Sequence, residues 1–169
     1  GGIVEVNACP GLRMHLNPSK GIARNVAESI INMMFPEPEK SHVPLVAITG
    51  TNGKTTTTRL IAHMAKHVGH RVGYTTTDGI YIDGYEIHHG DCTGPVSAEA
   101  VLLDPTVDYA VLECARGGIL RSGLGFDECD ISIVTNITED HLGLKDIHTL
   151  EEMAKVKSVV ARSAKKSGF

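Results

Sequence analysis

Apolar and polar positions follow two different periods along this chain. From Gly21 to Phe35 apolar residues recur at Ile22, Val26, Ile30 and Met34, and at Ala23, Ala27 and Ile31, which predicts one amphipathic helix. "FPEPEKSHVP" then breaks the pattern, since two prolines within three residues and mixed charge mark a linker or domain boundary. "LVAIT" is a short, continuous apolar run, as expected of a strand buried on both faces of a parallel sheet. Thr55 to Val68 returns to helical spacing and stops at Gly69. "RVGYT" reads as a strand, and "IYIDGYEIH" as a tight hairpin turning at Asp83-Gly84. Ser97 to Leu103 predicts a short helix, "YAVLE" and "ISIVTN" two more buried strands, and Thr149 to about Ala164 a last helix. Strands alternating with helices imply an α/β domain, its mostly parallel sheet covered by helices on both faces.

Composition narrows the class. The 169 residues are 41% hydrophobic and 21% charged, ordinary for a globular domain with a sizeable core. A net charge of −4 without long blocks of one sign argues against non-specific nucleic-acid binding. No apolar run approaches a membrane span. Cys9, Cys92, Cys114 and Cys129 are scattered without a CxxC pair, which fits a reduced, cytoplasmic thiol set better than a disulfide frame or zinc site. The chain starts "GGIVEV" and ends inside or just after a helical pattern, so a piece of a longer protein is expected.

The candidate chemistry centres on "AITGTNGKTTTTRLIAHM". A buried strand, then glycines at Gly50 and Gly53, then Lys54 at the start of a helix, is the order a phosphate-binding loop requires. The glycines let backbone N–H groups of Thr51, Asn52 and the following residues approach phosphate oxygens. The helix start adds free N–H groups, Thr56 among them, and a positive dipole end. Lys54 supplies a full charge, and the Thr55 hydroxyl is placed to hold Mg²⁺. Two residues separate these glycines, where the general motif has four.

Two further strands end on polar residues. "YAVLE" delivers Glu113 beside a glycine-rich turn, a candidate metal ligand at the sheet edge where ligands bind. "ISIVTN" ends at Thr135-Asn136, followed by Asp140 and His141 in a loop. On spacing alone His141 is balanced between ligand and structural histidine, and magnesium prefers oxygen. His63 and His67 fit a solvated helix face, and His88 and His89 point to opposite faces of a strand. Arg116 and Arg121 flank "GGIL" in a flexible loop, either clamping an anion or facing solvent. "TTTDG" at Thr75 to Gly79 and "CTGP" at Cys92 to Pro95 read equally as substrate loops and as turn chemistry.

"TGTNGKTTT", "VLECARGG" and "TNITEDH" together resemble the Mur ligase superfamily, which includes the folylpolyglutamate synthases. The short phosphate loop is typical of that family. The resemblance covers Val43 to Phe169 as an incomplete central ATP-binding domain. It implies ATP and Mg²⁺ as cofactors and a cytoplasmic ligase that joins a carboxylate to an amine. It implies ATP binding by Gly50, Thr51, Asn52, Gly53, Lys54, Thr55, Thr56 and Asn136. Lys54 and His141 take catalytic roles, and Thr55, Glu113 and His141 hold magnesium. In several Mur ligases a lysine past that histidine is carbamylated and helps hold a second magnesium. Lys155 and Lys157 both fall near it, and "MAKVKS" favours Lys157 as the catalytic lysine.

"EVNACPGLR" carries a second resemblance, to the end of an ATP-grasp domain, spanning residues 1–35 with a linker at 36–42. There Glu5 and Asn7 would share one face of a strand and hold metal; a plain strand-to-loop turn is the alternative reading. This domain order resembles ligases that build a polyaspartate backbone with arginine on each side-chain carboxylate. The ATP-grasp part adds aspartate and the Mur-type part arginine. That implies ATP, aspartate, arginine and an aspartate–arginine polymer as partners, and a homo-oligomer for the full-length protein. The isolated segment, without its flanking domains, is expected to be inactive. Another Mur-type amino-acid ligase, or a nucleotide-binding switch without ligase activity, are the rival readings.

Overall fold

The computed structural model describes residues 6–36, 42–139 and 148–167. The chain divides into two compact units, Gly1–His42 and Val43–Phe169.

The first unit holds α1 (Arg13–Leu16) and α2 (Val26–Met34). The helix expected from Gly21 begins five residues later. Asn25 caps it, its side-chain oxygen accepting from the Glu28 N–H at 3.2 Å, and Gly21 sits at φ +101°, outside helical space. The apolar period ran through the cap because periodicity cannot see one. Asn7 lies outside any strand, and its side-chain oxygen accepts from the Cys9 N–H at 3.1 Å, a turn contact. Glu5 lies outside the described residues.

The second unit is a layered α/β domain. Its elements are β1 (Leu45–Thr49), α3 (Lys54–His67), β2 (Val72–Thr75), β3 (Gly79–Ile82), β4 (Tyr85–His89), α4 (Pro95–Leu102), β5 (Tyr109–Glu113), α5 (Arg116–Ser122), β6 (Ile131–Val134) and α6 (Leu150–Arg162). Among the described residues the sheet has six strands in the order β4-β3-β2-β5-β1-β6. β2, β5, β1 and β6 are parallel, and the β3–β4 hairpin adds an antiparallel edge. The hairpin turns at Asp83 (φ +51°) and Gly84 (φ +86°), as Asp-Gly predicts.

Alternation sorts the core into two layers. Val46, Ile48, Val72 and Val111 pack with Ala62 and Ala65 of α3 on one face. Leu45, Ala47, Ala110 and Leu112 face the other way, with Ala98 and Val101 of α4, Ile119 of α5 and Val160 of α6. Helices therefore cover both faces of a mostly parallel sheet.

The glycine-rich stretch expected as a flexible loop is instead helix α5. Two adjacent glycines lower helix propensity, and tertiary packing overrides it. A Cβ on Gly118 would lie 2.7 Å from the Thr93 carbonyl oxygen and 3.0 Å from the Gly94 Cα, so glycine is what lets α5 seat against that loop. All four cysteines are free thiols, with Cys92, Cys114 and Cys129 buried. Among the described residues no helix is long and apolar enough to cross a membrane.

Candidate active site

β1, β5 and β6 run parallel, so their C-terminal ends share one sheet edge, and β1 has neighbours on both sides. The chain leaves β1 through α3 on one face and the adjacent β5 through α5 on the other, which makes a topological switch point, where crevices form. Three segments leave this edge: the loop after β1, Glu113 at the end of β5, and Thr135-Asn136 after β6.

The loop after β1 has a left-handed start and finish. Gly50 sits at φ +147° and Gly53 at φ +84°. A Cβ on Gly50 would fall 1.9 Å from the Thr135 hydroxyl oxygen. That hydroxyl donates to the Asn52 carbonyl at 2.7 Å. Asn136 braces the same loop from both ends of its side chain: its Oδ1 accepts from the Asn52 N–H at 3.0 Å and its Nδ2 donates to the Asn52 carbonyl at 3.0 Å. Its carbonyl accepts from the Thr51 N–H at 2.9 Å, and the Thr51 hydroxyl accepts from the Thr138 N–H at 3.1 Å. The loop is thus pre-shaped. Behind it α3 starts at Lys54 with no acidic residue of its own in the first turn, so within the helix nothing offsets its positive end. Lys54 Nζ donates to the Thr51 carbonyl at 2.9 Å, and Thr56 is exposed on the first turn.

Glu113 lies beneath this loop, 2% exposed. The Thr55 hydroxyl donates to its Oε2 at 2.8 Å, while Oε1 is buried with no partner among the described residues. Burial pushes the carboxyl up; the Thr55 hydroxyl, the Lys54 charge and the Thr77 N–H pull it down. A hydroxyl and a buried carboxylate with one orphaned oxygen form a hard-oxygen donor set, the kind that suits Mg²⁺. Thr77 is a residue that the sequence reading grouped only with a candidate substrate loop. Its hydroxyl lies 3.3 Å from the Thr55 hydroxyl. Nothing local signals that contact, because it depends on β2 lying beside β5.

Lys157 arrives from α6. Thr149 and Glu152 cap that helix reciprocally, with the Glu152 N–H donating to the Thr149 hydroxyl at 3.1 Å and the Thr149 N–H to the Glu152 carboxylate at 3.1 Å. Lys157 is buried, 3% exposed, and donates to the Gly50 carbonyl at 2.6 Å, whereas Lys155 is exposed. Burial, then the positive charges of Lys54 and Arg116, push its ammonium down to about 8. One edge therefore gathers Gly50, Thr51, Asn52, Gly53, Lys54, Thr55, Glu113, Asn136 and Lys157. His141 and Asp140 lie outside the described residues.

The "TTTDG" and "CTGP" loops contain real turn chemistry. The Thr76 hydroxyl accepts from the Asp78 N–H at 3.2 Å, and the Thr93 hydroxyl donates to Asp91 at 2.6 Å. An ion pair of 2.6 Å between Arg59 and Asp78 ties the first loop to α3. His63 and His67 are exposed on α3, and His88 and His89 are successive residues of β4.

This geometry can be set beside known proteins. The model of the Mur ligase middle domain matches residues 48–169. The cyanophycin synthetase of Geminocystis herdmanii is 61% identical over 169 residues, 100% of this chain and 19% of that protein. The UDP-N-acetylmuramoyl-L-alanyl-D-glutamate–2,6-diaminopimelate ligase of Parabacteroides distasonis is 33% identical across 80% of this chain and 29% of its own length. A solved structure of a ligase with that same name superposes with a TM-score of 0.63 at 26% identity, covering 97% of this chain and 32% of that one. The chain thus spans about a fifth of the first of these relatives. Its phosphate-type loop, parallel sheet and family match agree over the same residues, and the chain belongs to the Mur ligase middle-domain family.

Proposed function

We propose that this chain is the ATP-binding core of a ligase that adds arginine to aspartate side chains of an aspartate–arginine polymer. The observation that carries the reading is the buried Glu113, bonded to Thr55 at the head of a pre-shaped phosphate loop. Identity of 61% along the whole chain to a cyanophycin synthetase supports the choice of substrates. Residues 1–35 are read as the end of an ATP-grasp domain that adds aspartate, with a linker at 36–42.

The loop N–H groups and the α3 N-terminus hold the ATP phosphates, and Lys54 turns from the Thr51 carbonyl to the terminal phosphates. Thr55 and Glu113 would hold Mg²⁺, joined by His141; when bound, the cation neutralises phosphate charge and polarises the γ-phosphoryl group. A side-chain carboxylate of the acceptor attacks the γ-phosphorus, ADP leaves, and an acyl phosphate forms. The α-amine of arginine attacks that carbonyl, phosphate leaves with one former carboxylate oxygen, and the amine loses a proton. The protein's work is positioning and charge stabilisation. Lys157, with its lowered ammonium, is read as the lysine that adds CO₂: its neutral amine forms the carbamate and releases a proton.

The test uses the full gene product with ATP, Mg²⁺, arginine and a primer of β-Asp-Arg units ending in aspartate. Arginine incorporation is expected, and Lys54→Ala is expected to lower it by at least about a hundredfold, the scale of a lost transition-state charge contact. Incorporation of diaminopimelate in place of arginine would favour the other ligase reading. ATP hydrolysis indifferent to any amine would favour a switch.

A further inference from the structure

Among the described residues two buried side-chain oxygens have no hydrogen-bond partner, Glu113 Oε1 and Thr58 Oγ1. Thr58 is 0% exposed, on the buried face of α3. Buried polar atoms are seldom left so. Other buried hydroxyls of the domain are used: Thr49 donates to the Cys114 carbonyl at 2.8 Å, and Ser163, the C-cap of α6, donates to the Val160 carbonyl at 2.8 Å. A helical threonine can turn its hydroxyl to the carbonyl one turn back, and Thr58 does not. The two unpaired atoms are complementary. A hydroxyl can donate, and an ionised carboxylate can only accept.

The fold brings both into one layer. Thr55, Thr58, Ala62 and Ala65 follow helical spacing on α3, and the last three are its buried residues. Ala62 and Ala65 pack with Val111 of β5. Glu113, two residues further along that strand, projects from the same face. At the other end of the stripe the Thr55 hydroxyl donates to Glu113 Oε2 at 2.8 Å. Thr58 therefore sits between the residue that holds Glu113 and those that cover Val111, about 4.5 Å along the helix axis from Thr55.

We infer that Thr58 is a positioning residue for the metal site: its hydroxyl donates to Glu113 Oε1 when Mg²⁺ is bound and fixes the plane of the carboxylate. This rests on the magnesium reading above and adds what holds the carboxylate in place. Two χ1 rotamers are open to a helical threonine, and the terminal torsion of a glutamate is broad, so rotation about single bonds makes the contact. A hydrogen bond to an ionised acceptor is stronger than one between neutral groups. Held by Thr55 at one oxygen and Thr58 at the other, the carboxylate cannot swing away from the cation, and each oxygen keeps a lone pair for it.

The test uses the full gene product and Mn²⁺, a paramagnetic stand-in for Mg²⁺, with free and bound ion measured by electron spin resonance. Glu113→Gln identifies the site as the binding that this variant loses. Thr58→Val keeps the shape of the side chain and removes the hydroxyl. It should raise the Mn²⁺ Kd of that site about ten- to a hundredfold, the usual effect of losing a group that orients a ligand. Thr58→Ser should restore most of the affinity. Kd reports on folded sites alone, so a smaller folded fraction does not imitate the change. Folding itself is expected to survive: without divalent cation, Thr58→Val removes an unpaired buried hydroxyl and should melt no lower than wild type. In arginine incorporation, Thr58→Val should need more Mg²⁺ for half its maximal rate and recover most of the wild-type rate at saturating Mg²⁺. Unchanged Mn²⁺ affinity in Thr58→Val, or a loss that Thr58→Ser does not reverse, overturns the role of Thr58 and leaves the magnesium reading standing. If Glu113→Gln loses no Mn²⁺ site, the magnesium reading fails, and this inference with it.

Discussion

At Glu113 burial and hydrogen bonding pull in opposite directions. The carboxyl is 2% exposed, one oxygen has a hydroxyl partner and the other none among the described residues. A buried charge left short of partners is destabilising until something completes it. Without divalent cation, Glu113→Gln is therefore expected to melt at the same or a higher temperature than wild type. With Mg²⁺ at about 100 times its Kd, wild type should gain about 2.7 kcal/mol, a shift of several degrees, and the variant almost nothing. Calorimetric melts with and without Mg²⁺ check this; an equal gain in both proteins would reject the proposed role of Glu113 as a magnesium ligand. Lys157 makes a second prediction with a definite sign. Its folded ammonium titrates at about 8, below the ordinary 10.5. The folded state then binds this proton less tightly than the unfolded chain. The cost of carrying the charge is full below pH 8 and fades between pH 8 and 10.5. Stability should rise across that window by up to about 3 kcal/mol, and Lys157→Met should abolish the rise. Urea unfolding at pH 7, 9 and 10.5 measures it; a wild-type stability flat over that range would contradict the burial argument.

At the scale of elements, α5 separates what a sequence tells from what only packing tells. Two of its seven residues are glycines, and pattern reading assigns it to a loop. Packing distinguishes those glycines from each other. A Cβ on Gly117 would meet only the far end of Arg121, at 3.8 Å, so Gly117→Ala should gain up to about 1 kcal/mol of helix propensity. A Cβ on Gly118 would press on backbone at 2.7 Å, and backbone cannot yield as a side-chain tip does. Gly118→Ala should cost about 1–3 kcal/mol despite the same propensity gain. Paired urea curves test the contrast, which fails if both variants move the same way. Elsewhere the pattern was legible. The continuous apolar runs LVAIT and YAVLE became buried parallel strands because such runs suit little else at that length, and Asp83-Gly84 turned because few pairs adopt two successive positive φ angles. The α2 start is not legible in the pattern, because Asn25 caps within an unbroken apolar period.

For the whole molecule, strand order decides which local signals converge. Gly50–Thr56, Glu113 and Asn136 could be read singly, since each follows a buried strand. Their meeting follows from β1 lying between β5 and β6, and the contact of Thr77 with Thr55 from β2 lying beside β5. Lys155 and Lys157 differ by helix phase: the two residues are about 200° apart around α6, and Lys157 is the one that reaches the Gly50 carbonyl. What this assembly is proposed to do is activate a carboxylate by phosphorylation and pass it to arginine. The direct measurement is oxygen transfer. A primer labelled with ¹⁸O in its terminal side-chain carboxylate is given to the full gene product with ATP, Mg²⁺ and arginine, and the released phosphate is weighed by mass spectrometry. Ligation through an acyl phosphate puts one ¹⁸O into phosphate for each amide formed. Unlabelled phosphate alongside labelled amide, or phosphate released at the same rate without arginine, would contradict the account.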